Sequence, residues 1–449
     1  MINKKISILL ILFTILNNCS FDSKTGIWGD SAKEKKRISD LEKEQKEILK
    51  VEKIYSSDAT FQKEVVLKKS IDLSKPYNNQ SWAMPNLNQQ NLLTNLYLSG
   101  VDNVFFKKKI GKDKFSIGRI TTSLLVNENN IIFSDDTGTI FYTSERGRII
   151  WKQNIYKKAY KKINKNIFFS IYKNIIYVAD NIGFVYSIDS KDGKILWIRN
   201  YEVPIKSSIK VFGNKIFLIN QDNKIFCLNT TDGSLIWNIL AISSFIKSQN
   251  LLSVALTKEG DLFVITSSAD IYKINTNTGN IIWSRNTAES LYADATDFFV
   301  SSEIVVDDDN IFLSSGLNTY SFDIKNGETI WKQNVSSIAT PVVSKKNIFI
   351  VTDNGYFVIL SKDTGEIISS NNVFKILKRK KQKTKATGFI MGSDKVYIVT
   401  LNGFLITSSA LTGKAEQFKK INGSNISPLV INNGKLYILR EKSKILVLN

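Results

Sequence analysis

Between residues 174 and 197 the chain reads NIIYVADNIGFVYSIDSKDGKILW. Apolar runs at 175–178 and 184–188 flank a turn at 181–183, and Asp192-Gly193 turns the chain again into a short run ending on Trp197. Runs this short, rich in β-branched and aromatic residues and bounded by Asn, Asp and Gly, predict three strands joined by two tight turns. The phrase then returns along the chain: RGRIIW ends on Trp151, DGKILW on Trp197, DGSLIW on Trp237, TGNIIW on Trp283 and NGETIW on Trp331. Two worn copies, TGEIIS ending at Ser369 and TGKAEQ ending at Gln417, keep the glycine and lose the aromatic.

The repeat glycines are Gly147, Gly193, Gly233, Gly279, Gly327, Gly365 and Gly413, spaced by 46, 40, 46, 48, 38 and 48 residues. That spacing suits one four-stranded propeller blade per repeat. Seven repeats in an open array would leave raw sheet edges, so an eighth blade split between the chain ends is expected. Runs at 428–433, 435–441 and 444–449 supply three of its strands, and NVFFKKKIG at 103–111 supplies the fourth. Phe106-Lys107-Lys108 there stands where Trp331-Lys332-Gln333 stands in its own repeat. The expected fold is therefore all-β, an eight-bladed β-propeller closed by an N-terminal strand.

In each repeat the glycine supplies the positive φ of a tight turn, with Asp or Asn suited to the position before it. The tryptophan buries on the order of 200 Å² and its N–H can reach a backbone carbonyl of the next blade. These residues are read as architecture, and loss of tryptophan at Ser369 and Gln417 is expected to loosen blades 6 and 7.

Composition narrows the function. The chain has 449 residues, 43% of them apolar, enough for one large core. Lys and Arg number 61 against 41 Asp and Glu, a formal +20. The lysines are spread through turns and solvent faces, so no nucleic-acid partner is expected. The absence of histidine removes the usual hydrolytic triads and His-ligated metals. Cys19 and Cys227 are too few for a disulfide framework. Cys227 aligns with Ser187 of the preceding repeat and is expected to be a small buried residue. Asp135, Asp136 and the run Asp307, Asp308 and Asp309 are read as solvated turn acids, and no metal site is expected.

At the start, MINKK precedes the apolar stretch 6–16, too short to span a bilayer, and reads as a secretory signal. Leu16-Asn17-Asn18-Cys19 follows. It resembles the lipobox of bacterial lipoproteins, with Asn18 departing from the preferred Gly, Ala or Ser. The expected organisation is a signal peptide at 1–18, an acylated Cys19 with a charged tether at 19–75, and the propeller at 76–449. Within the tether, 31–55 carries both charge signs and a ragged helical period. By the bacterial sorting pattern, Ser20 points to the outer membrane, which places the propeller on the periplasmic face. A further basic stretch, FKILKRKKQKTK at 374–385, reads as an exposed loop or a site of attraction to anionic head groups or an acidic partner.

Trp82, Pro85 and the Asn-rich stretch before FFKKKIG, followed by tandem G-x-I-x-W blades behind a lipoprotein signal, resemble the BamB family. The runs 331–360 and 427–448 look most like its alphaproteobacterial branch. The resemblance implies a non-enzymatic lipoprotein scaffold of the outer-membrane β-barrel assembly machinery, without cofactor. Its implied partners are the POTRA domains of BamA and outer-membrane protein clients, met by a monomer within a hetero-complex. It also implies partner-contacting residues in two connections. Ile246-Lys247-Ser248 is the nearest match to a Leu-Arg-Gly element, where lysine lacks the planar fork of arginine. Asp294 matches the first aspartate of an acidic segment, Thr296 stands where a second would be, and Asp297 is the candidate replacement. A second Ile-Lys-Ser at 205–207 leaves the first alignment open.

The repeats are also similar to those of dehydrogenases that use pyrroloquinoline quinone (PQQ). Those enzymes add long insertions, an adjacent-cysteine disulfide and a calcium-binding acid, and this chain has no Cys-Cys pair. The other reading is a periplasmic propeller for a different ligand, a glycan or a peptide.

Overall fold

The computed structural model describes residues 20–21, 28–29, 32–51, 61–112, 114–115, 124–242, 251–288, 300–423, 426–441 and 443–449. Eight antiparallel sheets succeed one another along the chain, an eight-bladed propeller. Blade 1 holds Leu125–Asn127, Asn130–Ser134, Ile140–Ser144 and Ile149–Gln153, from the innermost strand outward. Blade 2 holds Ile167–Tyr172, Ile175–Asp180, Phe184–Asp189 and Ile195–Asn200. The innermost strands of blades 3 to 7 are Lys210–Phe212, Val254–Leu256, Val305–Asp307, Val342–Ser344 and Ala386–Gly392. Middle strands are buried nearly throughout, as in Ile216, Phe217, Leu218 and Ile219 of blade 3, so the core lies between successive blades.

Blade 8 is built from both ends of the ring: Val430–Asn432, Lys435–Arg440 and Lys444–Leu448 are completed by Val104–Lys109. Phe106 lies opposite Val447 as Trp331 lies opposite Ser321, and both pairings slip one step later. This joint removes the free sheet edges that an open array would leave.

The tryptophan staples are seen in five blades. Each indole N–H donates to a carbonyl of the following blade: Trp151 to Ser190 at 2.8 Å, Trp197 to Thr230 at 3.0 Å and Trp237 to Thr276 at 3.0 Å. Trp283 reaches Ile324 at 3.3 Å and Trp331 reaches Lys362 at 2.8 Å. Each ring lies on the repeat glycine of the next blade, where a Cβ would come within 2.6–3.0 Å of ring atoms. Phe106 meets Gly147 in the same way.

Where the tryptophan is lost, other groups stand in. Gly413 faces the Asn371 amide and the Ser369 hydroxyl, while Val373 and Phe374 are buried alongside. At the joint between blades 7 and 8, the Lys419 ammonium donates to the carbonyls of Val101 and Asp102 at 3.0 and 2.8 Å.

Residues 79–99 wind once around the inner strands and touch every blade in turn. Asn79 donates to Ile431 O in blade 8, Trp82 pairs with Val126 in blade 1, and the Ile171 amide of blade 2 donates to Ala83 O. The Lys210 ammonium of blade 3 donates to Pro85 O and Asn88 O, both at 2.7 Å. Gln89 O and Gln90 O accept from Leu256 of blade 4 and Val306 of blade 5. Leu93 O and Leu96 O accept from Val343 of blade 6 and Ser393 of blade 7, and Ser99 returns to Gly434 of blade 8. Trp82, Met84, Leu93, Leu96 and Leu98 are buried by this collar. Burial pulls the Lys210 ammonium below the usual lysine range, with the charge of Glu303 opposing the shift.

Earlier residues also dock on the ring. Helix α1 (Ala32–Val51) buries Ile38 and Leu41, while Arg37 donates to the carbonyls of Ile182 and Glu202 in blade 2. Val65 pairs in both directions with Ser370 at 2.9 Å, covering the outer edge of blade 6. Lys375 and Glu64 at 2.8 Å, and Lys345 and Asp72 at 2.7 Å, extend that attachment.

Candidate functional site

Antiparallel order gives each blade two ends. One carries the hairpins with the repeat glycines. The other carries the hairpins between second and third strands and the connections from blade to blade, where side chains sit on loops held by a rigid ring.

The partner residues read from the sequence belong to two of those connections. Ile246 and Lys247 lie between blades 3 and 4, and Asp294 and Asp297 between blades 4 and 5; all four fall outside the described residues, as does Cys19. The connections leave from neighbouring outer strands, Leu235–Leu240 and Ile281–Asn286. At the edge of the first, Leu240 and Ile242 are 67% and 68% exposed. The second Ile-Lys-Ser is different in kind: Ile205 and Ser207 are fully buried on the way into blade 3.

The basic stretch at 374–385 is pinned to the ring. Phe374 and Leu377 are buried, Lys375 pairs with Glu64, and Lys381 stands 5.0 Å above the Phe404 ring. The turn acids do not converge. Asp135 accepts from the amides of Lys112, Thr137 and Thr139 and from the Thr137 hydroxyl, and so shapes a turn at the connection end of blade 1. Asp307 pairs with Lys362 at 2.8 Å in the opposite end of blade 5, and Asp308 sits in the adjoining turn at φ 42°. Asp180 is buried, accepts from the Tyr156 hydroxyl at 2.5 Å and from the amides of Ile182, Gly183 and Phe184, and is raised above the usual carboxylate range by burial.

Cys227 lies opposite Trp237 as Ser187 lies opposite Trp197, and it is fully buried. Burial pushes its thiol up to about 12. The thiol therefore stays protonated at pH 7 to 9, and a thiol-specific reagent should leave Cys227 unmodified in native protein at either pH. Modification should follow unfolding; a rapid native reaction that rises with pH would show an accessible thiolate.

Several structural residues escaped the sequence reading. The collar at 79–99 has no period, because it contacts the ring through backbone carbonyls and amide side chains. A second row of staples lies beside the tryptophans: Arg285 and Gln333 donate to the carbonyls of Gly327 and Gly365 at 3.0 and 2.9 Å. The signal for these was the long polar residue two places after the tryptophan.

The closed ring of glycine-tryptophan repeats defines a propeller of the PQQ-repeat type. A profile of the family described as "Outer membrane protein assembly factor BamB" matches residues 136–371, just over half of the chain. The chain belongs to the BamB family. It is 20% identical over 291 residues to the outer membrane protein assembly factor BamB of Moranella endobia, spanning 59% of this chain and 69% of that one. It is 27% identical over 255 residues to the protein of the same name from Salmonella typhimurium, spanning 51% of this chain and 59% of that one. Among solved structures, BamB from Moraxella catarrhalis superposes with a TM-score of 0.62 at 14% identity, covering 76% of this chain and 99% of that one. The fold is also that of the quinohemoprotein alcohol dehydrogenase from Comamonas testosteroni, with a TM-score of 0.60 at 11% identity over 82% and 80% of the chains.

Proposed function

We propose that this protein is a non-enzymatic scaffold in the assembly of outer-membrane β-barrel proteins. In this reading it is held at the periplasmic face of the outer membrane by an acylated Cys19 and contacts the POTRA domains of BamA through its blade connections. The observation that carries it is the family match across successive blades of the ring. Two features of the chain support it. The connections on one end of the ring are presented by a body closed at every edge, a geometry suited to gripping another protein without refolding. Exposed Leu240 and Ile242 flank the first of the two connections that carry the matched partner residues. The quinoprotein reading has less support, since Asp135 and Asp307 serve turns at opposite ends of the ring and the chain has no adjacent cysteines.

The site is tested by calorimetric titration of the propeller against the POTRA domains from the same organism. The expected result is saturable binding that Lys247→Glu and Asp294→Lys each weaken about 10-fold, a loss of about 1.4 kcal/mol. Binding that both variants leave unchanged would move the contact away from these residues.

A further inference from the structure

A cavity of about 870 Å³ opens at the connection end of the ring, where blades 8, 1 and 2 meet. Its wall combines the end of the closing strand, the Thr137 to Thr139 turn of blade 1 and the connection from blade 1 to blade 2 with its short 3-10 turn Lys158–Lys162. Seven of its lining residues are lysines, and among the described residues none is an acid. Among the described residues, the nearby carboxylates accept hydrogen bonds from backbone amides and hydroxyls. Asp135 accepts four hydrogen bonds from its own turn and Lys112 N, Asp136 accepts from the amides of Lys114 and Phe115, and Asp180 is enclosed by Tyr156 and three amides. Among the described residues, Lys109, Lys112, Lys158 and Lys161 form no ion pair.

Lys165 distinguishes this pocket from a lysine-rich surface. Its side chain is 4% exposed and its ammonium donates to the Tyr160 carbonyl, with the Tyr156 ring 5.4 Å away. Burial, and then the charge of Lys114, pull that ammonium down to about 8, against the opposing charges of Asp180, Asp136 and Asp135. Burying a cation beside other cations is unfavourable, and the three carboxylates offset only part of that cost, since the ammonium stays below the usual lysine range. The fold nevertheless gathers these groups around a concave space.

We propose that this pocket binds a phosphate-bearing anion. Ammonium groups act as point charges for phosphate oxygens and need no bidentate alignment. The volume falls in the range of small-molecule sites, large enough for a phosphorylated head group or a short polyphosphate. The site stands apart from the connections assigned to protein contacts, and it holds whether or not those contacts are made.

The test uses the full chain carrying Cys19→Ala, so that no acyl group confers membrane attachment, with inorganic tripolyphosphate as the probe in calorimetry. The expected result is saturable 1:1 binding that weakens with salt. The double variant Lys112→Glu/Lys158→Glu should lose at least 10-fold in affinity. Lys191→Glu/Lys414→Glu makes the same charge change in exposed turns at the opposite end of the ring and should stay within about 2-fold. Equal weakening in both variants would assign binding to the net charge of +20 and overturn the proposal. So would an absence of saturable binding, or citrate binding as tightly as tripolyphosphate. Flotation with phosphatidylglycerol vesicles separates the sources. Pocket-dependent flotation that tripolyphosphate competes away identifies a lipid head group, whereas tripolyphosphate binding without flotation identifies a soluble phosphate.

Discussion

Replacing Trp331 by alanine lowers the unfolding free energy by about 3–5 kcal/mol, the range for emptying a large buried aromatic site. The ring is 8% exposed, stacks on Phe312 at 6.0 Å and donates to Lys362 O, so the change opens a cavity between blades 5 and 6 and leaves a carbonyl without its donor. Gly365→Ala should also destabilise, because its φ is +70° and the new methyl would lie 2.6 Å from the Trp331 ring. The left-handed backbone alone costs about 1–2 kcal/mol. If glycine and tryptophan form one staple, the double variant is less destabilised than the sum of the two, since alanine at 331 vacates the space the methyl needs. Ser369→Ala, at the equivalent position of blade 6, should cost about 1 kcal/mol or less. Denaturant midpoints of the four variants measure all of this, and strict additivity would contradict the staple.

Leu96→Ala should cost about 2–5 kcal/mol although residue 96 lies outside every repeat. Its side chain is fully buried in the collar, and its carbonyl accepts from Ser393 at the edge of blade 7. Val66, 87% exposed on the segment beside blade 6, is the matched control and should tolerate alanine within about 0.5 kcal/mol. Equal effects at the two positions in urea unfolding would show that the collar contributes no packing.

The ring itself was written in the glycine-tryptophan phrase, since a positive-φ turn and an aromatic staple restrict residue choice at fixed spacing. The closing strand was legible for the same reason: Phe106 keeps the aromatic place against Gly147. The collar was not, because Gln89, Gln90 and Leu93 bond through carbonyl oxygens that any residue supplies. Helix α1 showed only as a ragged period, and the structure shows Ile38 and Leu41 buried in it. Lys165 is one lysine among many in the sequence, and only the fold buries it beside Tyr156 and Tyr160. The partner residues were reached by resemblance, on connections whose composition carries no period of its own.

The most direct test of the scaffold reading is to isolate the tagged full chain from detergent-solubilised outer membranes and identify what comes with it. The account predicts the POTRA-bearing barrel-assembly protein in near-equal amount, stable to moderate salt. Isolation of the chain without that protein, together with PQQ binding and dye reduction by the purified material, would contradict it.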